Sequence, residues 1–168
     1  MKTKKSLLSE DFDINLNKAL RFLSFRPRSE KEVQDFFRKK QVSKETSEKV
    51  IDRLKEHKFL DDVEFAKWWV EQRTLIKPRA WRVIKIELRQ KGISKEIMEL
   101  LNTNSQSEEK DDLNAAIKLV GKRILRYKSL PRQEIYKKLG RFLLSKGFNY
   151  ETIKRSIDEV FSKEYNQS

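Results

Sequence analysis

The chain has 168 residues, a formal net charge of +13 and no cysteine, so disulfide scaffolds, thiolate catalysis and cysteine-ligated zinc are excluded. Such a basic balance points to a polyanionic partner: nucleic acid, an acidic membrane surface or an acidic protein. With 37% apolar and 39% charged residues the chain is polar for a globular protein, but its apolar residues recur at helical spacing.

Residues Met1 to Glu10 are basic and hold only Leu7 and Leu8 as an apolar run, too polar for a signal peptide. No segment is long enough in apolar residues to span a bilayer, and a cytoplasmic location is expected. Residues 1–12 read as a flexible N-terminal extension. A first helix then carries Leu16, Ala19, Leu20 and Leu23 on one face and breaks at Pro27. Ser29 is placed to cap a second helix, with Glu32 three residues on completing a capping box, and Val33, Phe36 and Phe37 facing inward. Ser43 starts a third helix with Val50, Ile51 and Leu54.

Asp61 and Asp62 open the next helix, where acids suit the positive end of the helix dipole, and Phe65, Trp68 and Trp69 follow. Pro78 is expected at the start of a helix that stops at Gly92, a residue suited to the left-handed position after a helix. Ser94 caps a short helix with Ile97, Leu100 and Leu101. The polar stretch Asn102 to Lys110 reads as a linker. Leu113, Ile117, Val120 and Ile124 then mark a long helix, Pro131 begins another that ends before Gly147, and Asn149 caps the last, with Ile153, Ile157, Val160 and Phe161 as its stripe.

The same marks recur along this order. Each of the three prolines is followed by arginine (Pro27-Arg28, Pro78-Arg79, Pro131-Arg132), at separations of 51 and 53 residues. Each is followed by a second mark, Lys40-Gln41, Lys91-Gly92 and Lys146-Gly147, at separations of 51 and 55. The fold expected is all-α: three tandem three-helix repeats (13–60, 61–102, 111–162) forming an elongated, curved body, with a linker at 103–110 and a tail at 163–168.

Residues that could carry chemistry are few. His57, the one histidine, sits near a helix end and reads as a solvated or dipole-facing side chain. Adjacent acids on a helix point about 100° apart, so Asp61-Asp62 reads as capping rather than a metal or acid–base pair. The four glycines form no phosphate-cradling loop. Trp69, four residues from Phe65, reads as core, whereas Trp68 and Trp81 are left open between packing and base stacking.

The informative signal is the distribution of charge. Lys77 to Lys91 holds six basic residues against Glu87, and Lys118 to Lys146 holds ten against Glu134. Ser43 to Asp62 holds five basic and six acidic residues. In helical projection Arg82, Lys85 and Arg89 share one side, and Lys137, Lys138 and Arg141 lie opposite Ile135, Leu139, Phe142 and Leu143. A passive solvated face would mix Glu with Lys, so the scarcity of Glu weighs for polyanion binding.

Several motifs resemble the RecX family of bacterial regulators of the RecA recombinase. They are Arg28-Ser29-x-x-Glu32-Val33, Leu60-Asp61-Asp62-x-x-Phe65-Ala66-x-x-Trp69-Val70-x-x-Arg73, Glu87-Leu88-x-x-Lys91-Gly92-Ile93 and Leu143-Leu144-x-Lys146-Gly147-Phe148. Gln41 stands where the family usually has glycine, and Lys77-Pro78-Arg79-Ala80 replaces a Gly/Ser-containing approach. The resemblance implies a protein that is no enzyme and needs no cofactor, lies in the groove of the RecA–DNA filament, and restrains ATP hydrolysis, strand exchange and coprotease activity. The implied partners are the RecA filament and, weakly and without sequence preference, single- and double-stranded DNA. The protein is expected to be a monomer with no membrane partner. The DNA- or filament-binding set is then Arg28, Arg79, Arg82, Lys85, Arg89, Lys91, Arg132, Lys137, Lys138 and Arg141. The competing reading is a helical protein that binds DNA or RNA independently of sequence and acts without a recombinase.

Overall fold

The computed structural model describes the backbone of residues 4–101 and 105–165 and the side chains of residues 10–101 and 107–163. Regular structure among these residues is all helical: α1 Lys4–Ser24, α2 Glu30–Lys39, α3 Lys44–Glu56, α4 Asp62–Glu71, α5 Trp81–Gln90, α6 Lys95–Leu100, α7 Ser105–Ile124, α8 Arg132–Ser145 and α9 Tyr150–Tyr165. A π-helical turn, Gln72–Ile76, follows α4, and a 3-10 turn, Leu125–Tyr127, follows α7. Two compact units form. One holds the described residues up to 68 together with 88–101, and the other holds 69–87 with the described residues beyond 101.

In the first unit α1 and α2 pack on α3 around Ala19, Val33, Phe37, Val50, Ile51, Leu54 and Leu60. Ser29 and Glu32 make the reciprocal capping box, and Ser43 accepts the N–H of Thr46 to start α3. α1 takes in residues 4–12, the stretch set apart by sequence as an extension. Phe12 packs against the core, and the Asp11 carboxylate accepts a hydrogen bond from the Thr46 hydroxyl at 3.0 Å. The second unit packs α7, α8 and α9 around Val120, Ile124, Ile135, Leu139, Leu143, Phe148 and Ile157. Ser105–Lys110, read as linker, are the opening turns of α7 instead. Pro78 does not begin α5. The helix starts at Trp81, after a turn in which Lys77 N–H and Arg79 N–H donate to the carbonyls of Gln72 and Arg73 at 2.9 Å each. Leu100, expected on an apolar face, is 77% exposed.

One joint is built twice. In the first unit the backbone N–H of Glu30, an orphan donor at the start of α2, is accepted by Asp62 of α4 at 2.8 Å. Gly92 (φ +82) then lies on α2, so close that a Cβ there would stand 2.7 Å from the Cβ of Lys31. In the second unit Asp112 of α7 accepts the N–H of Trp81, which opens α5, at 2.9 Å. Gly147 (φ +94) lies on α5 with no room for a Cβ beside Val83, and Ala80 N–H donates to the Lys146 carbonyl at 3.1 Å. The Lys-Gly mark of the second and third repeats is therefore the turn that docks on the helix following the Pro-Arg of the repeat before.

Gln41 adopts the same left-handed backbone (φ 56) at the end of α2. A residue with a Cβ is strained there by about 1 to 2 kcal/mol, against which glycine loses more freedom on folding. Gln41→Gly should therefore raise unfolding free energy by about 0.5 to 1 kcal/mol. Gly92→Ala and Gly147→Ala should each cost about 3 kcal/mol, from the backbone strain together with overpacking against α2 and α5. Urea unfolding of the three variants checks both signs.

Candidate nucleic-acid interface

The two joints differ in charge. In the first unit Glu32 neutralises its surroundings. Arg26 grips its carboxylate through both terminal guanidinium nitrogens at 2.7 and 3.0 Å, and Lys91 Nζ donates to it at 2.6 Å. Burial pushes this carboxyl up, but the hydrogen bonds and charges of Arg26 and Lys91 outweigh it and hold the pKa at about 2. Arg28 stacks 4.0 Å over Phe22 and donates to the Phe22 carbonyl at 3.4 Å, and its pKa is lowered by burial and by Arg26. Elsewhere in this unit Lys44, Lys49 and Lys55 each pair with a glutamate.

The second unit is built otherwise. Arg79 donates to the Ser145 carbonyl at 3.1 Å, and Arg82 Nε donates to the Gly147 carbonyl, both at the C-terminal end of α8, where the helix dipole favours cations. Lys85 is neutralised by Glu108 at 2.6 Å. Lys137, Lys138 and Arg141 stand exposed on α8, with no ion pair to a carboxylate among the described residues. Lys138 reaches the Tyr127 ring at 6.0 Å, and Arg132 stacks 4.9 Å over Phe161. Around Phe142 a further cluster forms that the projection did not single out: Arg123 lies 3.9 Å and Lys146 5.5 Å from the ring centre. The Lys146 pKa is lowered by burial, then by Arg79, Arg123 and Arg73.

Of the proposed contact set, Lys137, Lys138 and Arg141 thus stand exposed on one face of α8, which they share with Glu134. Arg82 and Lys85 are engaged inside the second unit. Arg28 and Lys91 are engaged inside the first, where the exposed Arg89 also belongs. The acid pair divides its work. Asp61 accepts the N–H groups of Val63 and Glu64 at 2.8 and 3.2 Å, capping its own helix, whereas Asp62 caps α2. Among the described residues no group of three or more His, Asp or Glu side chains is placed to hold a metal ion, and no helix is long and apolar enough to cross a membrane. His57 is exposed at the C-terminal end of α3.

Comparison with known proteins decides the family. Residues 16–54, 61–100 and 109–157 match the first, second and third three-helix domains of RecX. The chain is 38% identical to Regulatory protein RecX of Clostridium tetani over 143 residues, which is 84% of this chain and 65% of that protein. It is 33% identical to Regulatory protein RecX of Prosthecochloris aestuarii over 88% of this chain and 93% of that protein. This chain belongs to the RecX family. A crystal structure of RecX from Lactobacillus salivarius superposes with a TM-score of 0.69 and 28% identity, over 90% of this chain and 97% of that one. A second crystal structure, of regulatory protein RecX, matches the fold with a TM-score of 0.71 at 21% identity, covering 94% of this chain and 80% of that one. The chain spans 54% of the length of the Bacillus subtilis relative.

In this RecX-family chain the signature residues of the second repeat hold the fold. Trp69 Nε1 and Arg73 Nε both donate to Glu87 of α5, at 2.9 and 2.7 Å, and the Arg73 guanidinium covers the Trp69 ring at 4.6 Å. Phe65 is buried. Trp81, left open by sequence, is 7% exposed and its indole N–H has no hydrogen-bond partner among the described residues, which removes it as a base-stacking platform. Trp68 is half-buried, 5.9 Å from Phe65 and beneath Arg26 at 5.8 Å.

Asp112, which caps α5, has its pKa raised to about 6 by burial, against the opposing hydrogen bond from Trp81 N–H and with Glu108 and Asp111 adding to the rise. A carboxyl whose folded pKa is raised takes up its proton in the folded state first, so stability increases as pH falls from about 6 towards 4. Asp112→Asn keeps an oxygen acceptor for Trp81 and abolishes the charge. Unfolding should show this variant about 1 kcal/mol more stable than the parent at pH 7.5, allowing for the group's partial exposure, and no more stable at pH 4.

Proposed function

We propose that this chain is a non-enzymatic regulator that binds in the groove of the RecA–DNA filament and restrains ATP hydrolysis, strand exchange and coprotease activity. Family membership supports the regulatory role, since the relatives carry the name regulatory protein. The observation that carries the contact mode is the exposed face of α8, where Lys137, Lys138 and Arg141 project with no ion pair to a carboxylate among the described residues and outnumber the one acid on that side, Glu134. Such a face attracts phosphate oxygens through charge and gives little sequence discrimination, because contacts to the phosphate backbone carry no base information. Free DNA is accordingly a weak ligand in this reading, and the recombinase supplies the remaining affinity. The protein acts as a monomer in the cytoplasm.

Charge reversal tests the face. Lys137→Glu/Lys138→Glu/Arg141→Glu should weaken inhibition of recombinase ATPase activity by about tenfold or more and reduce the log–log salt slope of DNA binding by about two to three. Helicity and melting should stay near the parent, because these side chains lie opposite the buried Ile135, Leu139 and Leu143. The control is Lys40→Glu/Lys58→Glu/Lys154→Glu, an equal charge change at exposed positions elsewhere. Equal losses in both would reduce the effect to net charge. Loss of DNA binding in a protein that never inhibits the recombinase would favour the independent nucleic-acid binder.

A further inference from the structure

The duplicated joint supplies an internal comparison. Lys91 and Lys146 hold the same place, immediately before the glycine that docks on α2 or on α5. In the first joint Lys91 is neutralised by Glu32, five residues after Pro27. Five residues after Pro78 the chain has Val83, and the carboxylate is gone. Lys146 instead faces Arg79 and Arg123, with Arg73 near enough to repel it as well. Arg73 has its own acid in Glu87, and Lys85 of α5 has Glu108. Arg79, Arg123 and Lys146 have no carboxylate partner among the described residues.

These three cations are also held in position. The Arg79 guanidinium is tied to the Ser145 carbonyl at 3.1 Å, and the Arg123 guanidinium lies 3.9 Å over Phe142, where Lys146 also rests at 5.5 Å. Each is half-buried, so little side-chain entropy remains to be lost on binding, and the local dielectric strengthens any ionic contact. Placing like charges together under partial burial costs free energy, and the C-terminal dipole of α8 offsets only part of it. An anion delivered from outside relieves the rest.

We propose that Arg79, Arg123 and Lys146 form a seat for one backbone phosphate of a nucleic-acid strand. Two guanidinium groups and an ammonium converge donors and positive charge on one place, the kind of site that holds the non-bridging oxygens of a phosphodiester. The seat also lies within a stretch, Lys118 to Lys146, whose only acid is Glu134, which suits a polyanion that continues past the bound group. The assignment refines the DNA contact in the proposed filament reading and rests on that reading for its physiological setting.

The test uses the full chain and a fluorescent oligothymidylate, with binding measured against salt. Lys146→Gln and Arg123→Gln should each weaken binding by about three- to tenfold and lower the log–log salt slope by about one. Lys154→Gln, an exposed lysine on α9, removes the same charge and should change neither by as much. In the unaltered chain, carbon NMR of the lysine ε positions should show the Lys146 pKa rising when oligothymidylate is added, and not when a methylphosphonate version is added. Equal effects of Lys146→Gln and Lys154→Gln, or no response of Lys146 in the unaltered chain, would overturn the seat. A response to an oligoglutamate peptide with none to oligothymidylate would overturn it in favour of an acidic protein segment. If Lys146→Gln lost DNA binding as expected while the parent never inhibited the recombinase, the seat would stand and the filament reading would fall.

Discussion

Much of this molecule depends on how the first turn of a helix disposes of its unpaired N–H groups. α2 and α5 each begin with a donor that is accepted by an aspartate from another helix, Asp62 for α2 and Asp112 for α5. A carboxylate at that point satisfies a backbone group and meets the positive end of the helix dipole. The glycine turns then close on the same two helices at distances that no Cβ would allow. Cap and turn together make each joint specific: a slip of one residue would strand the N–H and drive a side chain into α2 or α5. The cost is a half-buried carboxylate, more evident at Asp112, where burial lifts the pKa to about 6.

The same scaffold carries two electrostatic designs. In the first unit three cations near the joint are neutralised at home, Arg26 and Lys91 by Glu32 and Lys55 by Glu30. Substituting a valine for the joint's glutamate in the second repeat leaves backbone geometry alone but changes what the site can do. A lysine that was part of the structure's own ion pairing becomes a group in want of an anion. Exposed ion pairs contribute little to stability, so withholding acids from the second unit sacrifices little there while leaving its charge available to a partner.

The aromatic residues show how misleading residue type is when taken apart from packing. Trp69 and Arg73 could each be drawn as nucleic-acid contacts, one for stacking and one for phosphate. Both are spent on Glu87, which joins the end of α4 and the π-helical turn to α5. The π turn itself carries Leu75 and Ile76 on the outside.

Helical periodicity, the Ser and Asn caps and the recurring Pro-Arg and Lys-Gly marks are local properties, and the sequence alone determined them. Ser29, Ser43, Ser94 and Asn149 cap as their spacing requires, and Val33, Phe37, Leu139 and Ile157 are buried on the faces their periodicity assigns. The first turns of α1 and α7 escaped this reading because polar stretches look like linkers until Phe12 and Asp11, or Glu108 and Asp112, find partners far along the chain. Charge was legible as a quantity but not as availability. Helical projection places Lys85 beside Arg82 and cannot know that Glu108, 23 residues away, neutralises it. Nor can it bring Arg79, Arg123 and Lys146 together at the C-terminal end of α8, since they come from three separate segments. Pairing between distant residues is a property of tertiary packing, and that packing decided which cations are structural and which are left for an anion.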